Sequence, residues 1–173
     1  MSNPQDTELK PGQIVNDYKV TGKLGAGAFG TVYAAEHPLI GKRAAIKVLK
    51  PLFAQNQEMM SRFMAEARVV NQIRHRNIID IFAFGQLDNG SQYFVMELLE
   101  GMPFDDYLRK HGALPPQQAL PILEAVARAL EAAHKVGVAH RDLKPANVFL
   151  SFDDDGVFPK LLDFGIERVL VVR

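Results

Sequence analysis

Gly25, Gly27 and Gly30 stand at G-x-G-x-x-G spacing, and the residues after the third glycine decide which folds stay open. In a dinucleotide-binding unit that glycine runs into a helix, with an acidic residue about 20 positions further on. Here Gly30 leads into Thr31-Val32-Tyr33, a strand pattern, and the corresponding later position is Lys50. The triplet therefore predicts a loop between two strands. Lacking side chains, such a loop can lay backbone N–H groups over phosphates, with an ordinary glycine-rich hairpin as the plain alternative.

The residues around the triplet extend this pattern. Tyr18 to Leu24, Thr31 to Ala35 and Ala44 to Leu49 read as an antiparallel meander, and Ile78 to Phe84 and Tyr93 to Glu97 as two further strands. The last two are joined through Asp88-Asn89-Gly90, whose Asn-Gly pair signals a tight turn. Between the groups, Asn56 offers a helix N-cap, Glu58 suits the first turn, and Phe63, Ala67 and Val70 recur at helical spacing. After Gly101 the period changes. Phe104 to Arg109 predicts a short helix, and Ile122, Leu123, Val126, Leu130 and Ala133 a longer one closed by Gly137, which Pro121 opens or kinks. Val148 to Leu150 and Lys160 to Leu162 predict a hairpin around Asp153-Asp154-Asp155-Gly156, where backbone turn chemistry outweighs a divalent-ion site. Residues 1–17 read as a flexible lead-in, and packing is expected to begin near Tyr18.

Composition removes several classes. With 47% hydrophobic residues in 173, the chain can bury a core. Twenty basic residues match twenty acidic ones, so no overall charge draws it to nucleic acid or an anionic surface, and charge-driven recognition must be local. The absence of cysteine excludes disulfides, thiolate metal sites and a cysteine nucleophile, and fits a reducing compartment. No segment approaches the ~18 apolar residues of a membrane span, so a cytoplasmic location is expected.

Lys47 ends the apolar run Ala44-Ala45-Ile46, which predicts a buried ammonium and hence an anionic partner. Glu66 on the following helix is one candidate, and the phosphates of a nucleotide are the other. The most specific stretch is His140-Arg141-Asp142-Leu143-Lys144-Pro145-Ala146-Asn147, with Asp163-Phe164-Gly165 beyond the hairpin. His140, in an apolar setting, is expected to be a packing residue.

In this order the motifs resemble the protein kinases, and Lys144-Pro145 resembles the serine/threonine branch of bacterial type. The resemblance covers Tyr18 to about Arg168. It implies an α+β bilobal fold, with a five-stranded antiparallel N-lobe and one helix over 18–100, and an incomplete helical C-lobe over 101–173. It implies a non-specific serine/threonine protein kinase (EC 2.7.11.1 class) that transfers the γ-phosphoryl group of Mg-ATP to a protein Ser or Thr. Asp142 would orient the hydroxyl and take its proton, with Lys144, Lys47 and Glu66 also catalytic; Asn147 and Asp163 would hold Mg2+. ATP would lie against Leu24, Gly25, Ala26, Gly27, Ala28, Phe29, Gly30, Val32, Ala45, Lys47, Met96, Glu97, Leu99 and Phe149. His75 and Asn77 resemble the loop after the Glu66 helix. The activation segment, an Ala-Pro-Glu motif and later helices are missing from the pattern, and no Ser or Thr occurs after Ser151. The expectation is a C-terminally truncated domain in which Leu123, Val126 and Leu130 form an exposed apolar face for a partner or a missing segment to cover. The alternative functions are an ATP-binding or interaction module without catalysis, and an inactive fragment.

Overall fold

The computed structural model describes residues 8–27, 30–51 and 56–162, apart from the side chains of Met59, Arg62, Phe63, Glu66, Val69 and Asp153. These residues form two compact units, one taking 8–64 and 81–98, the other 65–80 and 99–162.

The first unit is a six-stranded antiparallel sheet: β1 (Ile14–Val15), β2 (Tyr18–Ala26), β3 (Gly30–Glu36), β4 (Arg43–Leu49), β5 (Ile81–Gln86) and β6 (Gln92–Glu97). Their order in the sheet is β1-β2-β3-β4-β6-β5. The first three predicted strands appear where β-type residues and turn signals place them, each longer by a residue or two. The Asn-Gly turn also forms. Gly90 takes φ 84°, Gly90 N–H donates to the Leu87 carbonyl at 2.8 Å, and Ser91 N–H donates to Asn89 Oδ1 at 2.9 Å. One face of the sheet is packed by Val20, Tyr33, Ala35, Ala44, Ile46, Val48 and Val95.

Two expectations for this unit are corrected. Packing begins before Tyr18: Leu9 and Val15 are buried in the same core, β1 adds a sixth strand, and Leu9 N–H donates to the Tyr33 hydroxyl at 3.1 Å. Two apolar side chains and one buried hydrogen bond suffice to seat a stretch too short for periodicity to register. The fourth predicted strand begins at Ile81 rather than Ile78. Ile78 and Ile79 belong instead to the second unit, where they meet the strand Gly156–Leu161 through a parallel bridge from Ile78 to Leu161 and a 3.1 Å bond from Ile79 N–H to the Leu161 carbonyl.

Helix α1 (Gln57–Ile73) begins after Asn56 with Glu58 in its first turn, as predicted, and buries Ala67 and Val70; the division between the units falls within it. The second unit holds a three-stranded sheet of β7 (Gly101–Pro103), β8 (Val148–Asp153) and β9 (Gly156–Leu161), with α2 (Phe104–His111) and α3 (Pro116–Lys135). The β8–β9 hairpin turns between Asp153 and Gly156 as expected, whereas β7 has no counterpart among the predicted strands. β7 lies so close to β8 that a Cβ on Gly101 would sit 1.9 Å from the Leu150 carbonyl oxygen.

Pro116 opens α3, so Pro121 sits inside the helix and leaves the Gln117 carbonyl without its intrahelical donor. The helix ends as predicted, Gly137 adopting φ 79° and donating to the His134 carbonyl at 3.0 Å. Ile122, Val126, Ala129 and Ala133 are buried along one stripe. Val126 therefore leaves the predicted exposed face, which retains Leu123 exposed and Leu130 partly so; Leu120, outside that prediction, is exposed as well.

Candidate active site

In the first unit the glycine triplet joins two strands, as its sequence context requires. Pairing of β2 with β3 runs to Gly25↔Val32 and Ala26↔Thr31, and Gly27 N–H donates to the Gly30 carbonyl at 2.8 Å. Gly30 has a second reason to be glycine, which the motif does not reveal. A Cβ there would lie 2.2 Å from the Val48 carbonyl oxygen of β4. Ala28 and Phe29 lie outside the described residues.

Lys47 lies in β4 opposite Val32 of β3 and Phe94 of β6, and is 1% exposed. Residues paired directly across an antiparallel ladder share a face, as do residues two apart on one strand. Lys47 and Val32 thus share a face with Ala45 and its β6 partner Met96, while the core cluster occupies the other. Three of the predicted nucleotide-contacting residues, Val32, Ala45 and Met96, therefore accompany the predicted phosphate-facing lysine. Leu24 is exposed on β2 and Glu97 ends β6 half-buried. The Glu66 side chain is outside the described residues.

In the second unit the chain between α3 and β8 is folded around Asp142 by three side chains. His140 is 3% exposed. Its Nδ1 accepts the Asp142 backbone N–H at 3.3 Å, so the proton is on Nε2, which donates to the Leu162 carbonyl at 2.7 Å. Pro145–Asn147 form a 3₁₀ turn, fixed by Asn147 N–H donating to the Lys144 carbonyl at 2.9 Å. That turn aims Asn147 back at the loop: its Nδ2 donates to the Asp142 carbonyl at 2.7 Å and the Asp142 carboxylate at 3.1 Å. Lys144 Nζ lies 2.9 Å from the same carboxylate. Leu162 N–H donates to the Asn147 carbonyl at 2.9 Å, so both polar backbone groups of the residue before Asp163 are tied to this loop. Asp163 itself, with Phe164 and Gly165, lies outside the described residues. Leu99 and Phe149 are half-buried in this unit, Phe149 paired with Pro103 on one side and Lys160 on the other.

Reversing the chain tightly enough to make these contacts puts Arg141 at φ 64°, a left-handed conformation that costs a non-glycine residue energy and persists where neighbours over-determine it. The contacts also set the electrostatics. The hydrogen bond from Lys144, opposed by slight desolvation and reinforced by Asn147, holds the Asp142 carboxyl below its usual range. Asp142 is ionised at neutral pH and half of its side chain is exposed. Burial pushes His140 down despite its bond to Leu162, so the imidazole is neutral. The loop therefore presents a fixed, solvent-accessible carboxylate beside a cation and a buried amide. This arrangement can orient a hydroxyl and accept its proton. His140, expected as a packing residue, is also a bonded support for Asp142. The direct Lys144–Asp142 pair has no signal in the sequence, since the resemblance points Lys144 at a phosphate.

Residues 18–172 match the protein kinase domain family. The chain is 36% identical over 166 residues to the serine/threonine-protein kinase PknH of Mycobacterium tuberculosis, covering 96% of this chain and 26% of that protein. It is 40% identical over 164 residues to serine/threonine-protein kinase pkn2 of Myxococcus xanthus, covering 94% of this chain and 20% of that one. The crystal structure of the PknI kinase domain of M. tuberculosis superposes with a TM-score of 0.77 at 34% identity, covering 92% of this chain and 64% of that domain. The chain thus spans about a quarter or less of the length of these full-length relatives. On the family match over residues 18–172 and these identities, the chain belongs to the protein kinase family, among the bacterial serine/threonine kinases.

Proposed function

We propose that this chain transfers the γ-phosphoryl group of ATP to a Ser or Thr hydroxyl of a protein. The observation that carries the reading is the bonding around Asp142. Its backbone N–H is held by His140, while its carboxylate is held by Lys144 and Asn147 and kept ionised. An acceptor hydroxyl within hydrogen-bond reach of that carboxylate would be oriented by it and lose its proton to it as the bond to phosphorus forms. Lys144 would divide its charge between Asp142 and the transferred group. In the first unit, the glycine loop and the Lys47 face of the sheet would hold the nucleotide, with adenine against Val32, Ala45 and Met96 and its edge on the backbone of Glu97 and Leu99.

The family works with ATP and a divalent metal, and the described residues fit such an ion in one respect. Both N–H groups of the buried Asn147 amide are directed at Asp142, while its Oδ1 meets no donor among the described residues. An amide oxygen left open in this way suits a hard cation, and we assign Mg2+ to Asn147 together with Asp163. When bound, the ion would neutralise charge on the phosphates.

The test is phosphate transfer from labelled ATP to a generic basic protein, by the parent chain and by Asp142→Asn. Incorporation that requires Asp142 supports the proposal; equal incorporation by both removes Asp142 from catalysis. A rise in unfolding temperature with Mg-ATP but no transfer by either chain would assign nucleotide binding without turnover.

A further inference from the structure

The chain is neutral overall, yet three elements of the second unit bring cations to one place. The segment between α1 and β5 is stitched to β9: Asn77 Nδ2 donates to the Pro159 carbonyl at 2.8 Å, and Leu161 N–H to the Asn77 carbonyl at 2.7 Å. This brings Arg76 over the Phe158 ring, its Cζ 4.7 Å from the centroid, while Lys160 Nζ lies 5.8 Å from the same centroid. α3 packs against β9 and supplies Arg128. Arg76 and Arg128 are exposed, and Phe158 and Lys160 half-buried. Next to Arg76 in the chain, His75 Nδ1 accepts the Asn77 N–H at 3.2 Å. Burial first, and then Arg76, Arg128 and Lys160, push the His75 pKa below its usual value. Arg128 is paired with Glu124, whose Oε1 lies 2.6 Å from a guanidinium nitrogen. None of these residues belongs to the proposed catalytic loop or nucleotide face.

We infer that Arg76 and Lys160 at the Phe158 ring, with Arg128 on the adjoining helix α3, bind the phosphate of a phosphoserine or phosphothreonine on a protein segment. A phosphate monoester carries about −1.5 to −2 charge and three acceptor oxygens, which suits two or three cations grouped in one spot. The Phe158 ring restricts Arg76, so less side-chain freedom is lost when its N–H groups take the anion. A nucleic acid backbone presents a row of phosphates and is better matched by a longer basic track than by these three side chains. The source of the phosphate rests on the kinase reading, since such an enzyme generates phosphorylated proteins, its own chain included.

The experiment measures fluorescence anisotropy of a labelled phosphoserine peptide against the full chain. Its arms are the unphosphorylated peptide, inorganic phosphate and single-stranded oligonucleotide as competitors. The phosphopeptide binds at least tenfold more tightly than its unphosphorylated counterpart. Arg76→Ala with Lys160→Ala weakens it at least tenfold, and Glu124→Gln, which releases Arg128, tightens it severalfold. Unfolding curves of the variants separate lost binding from lost fold; if the double variant fails to fold, the Glu124→Gln arm decides. Equal binding of the two peptides, an unaltered double variant, or an unaltered Glu124→Gln chain overturns the inference. Inorganic phosphate competing as well as the peptide overturns the protein-segment assignment, and tighter oligonucleotide binding through the same residues overturns it in favour of nucleic acid. Asp142→Asn should bind the phosphopeptide like the parent, so failure here is distinguishable from failure of the catalytic proposal.

Discussion

His140→Phe keeps a ring in the buried site and removes both nitrogens, which makes it a sharp test of the support beneath Asp142. The Leu162 carbonyl loses its 2.7 Å donor in a buried position, and a buried acceptor without a partner costs about 1–3 kcal/mol. The Asp142 N–H loses a longer bond of 3.3 Å beside a half-exposed side chain, where water can compensate in part. The sum is about 2–4 kcal/mol of unfolding free energy. The loss also has a pH signature. Burial holds the folded His140 below its ordinary value near 6.5, whereas the unfolded imidazole titrates at that value. Between the two, the unfolded chain binds the extra proton, so stability rises with pH. The contribution of the neutral imidazole is complete above the unfolded value and is lost as pH falls through the folded one, at up to ~1.4 kcal/mol per pH unit. Urea unfolding monitored by circular dichroism should therefore show a gap between parent and His140→Phe that is largest above about pH 7 and narrows on acidification. His75 is also depressed but is present in both chains, so it cancels from the difference. An unchanged urea midpoint, or a gap that stays constant as pH falls, would refute the assignment of a neutral imidazole holding Asp142 and Leu162 together.

Gly30→Ala should cost about 1–3 kcal/mol in the same unfolding measurement, because its methyl group meets the β4 backbone rather than a movable side chain. Gly22→Ala, on the same hairpin with nothing within 4 Å of the new carbon, is the control, and equal losses from both would show that the β4 approach is not what requires Gly30. Tyr33→Phe removes the hydroxyl that accepts the buried Leu9 N–H and should cost about 1 kcal/mol while accelerating amide exchange at Leu9. Exchange at the parent rate would mean that the N-terminal segment is not anchored there.

Sequence reveals here what neighbouring residues decide. Asn89-Gly90 selects its turn from two positions, Gly137 closes α3 from one, and β-type runs of five to seven residues set β3 and β4, so these elements stand where the sequence places them. The loop around Asp142 is legible for a related reason: His140, Asp142, Lys144 and Asn147 lie within eight residues, and their mutual bonds need only one tight reversal. The elements that depart from expectation depend on partners distant along the chain. Leu9 is seated by Tyr33, 24 residues away, and the Asn77 side chain bonds the Pro159 carbonyl across 82. Ile78 and Ile79 have the apolar character of a strand start, but the Leu161 backbone captures them first, so β5 begins only at Ile81. The same stitching that displaces the start of that strand also brings Arg76 to Phe158, which is why the cation cluster has no local signature while the Asp142 loop has a strong one. A site built from one short segment can be read from residue types and spacing, whereas a site assembled by a long-range backbone clamp becomes visible only once the clamp itself is known.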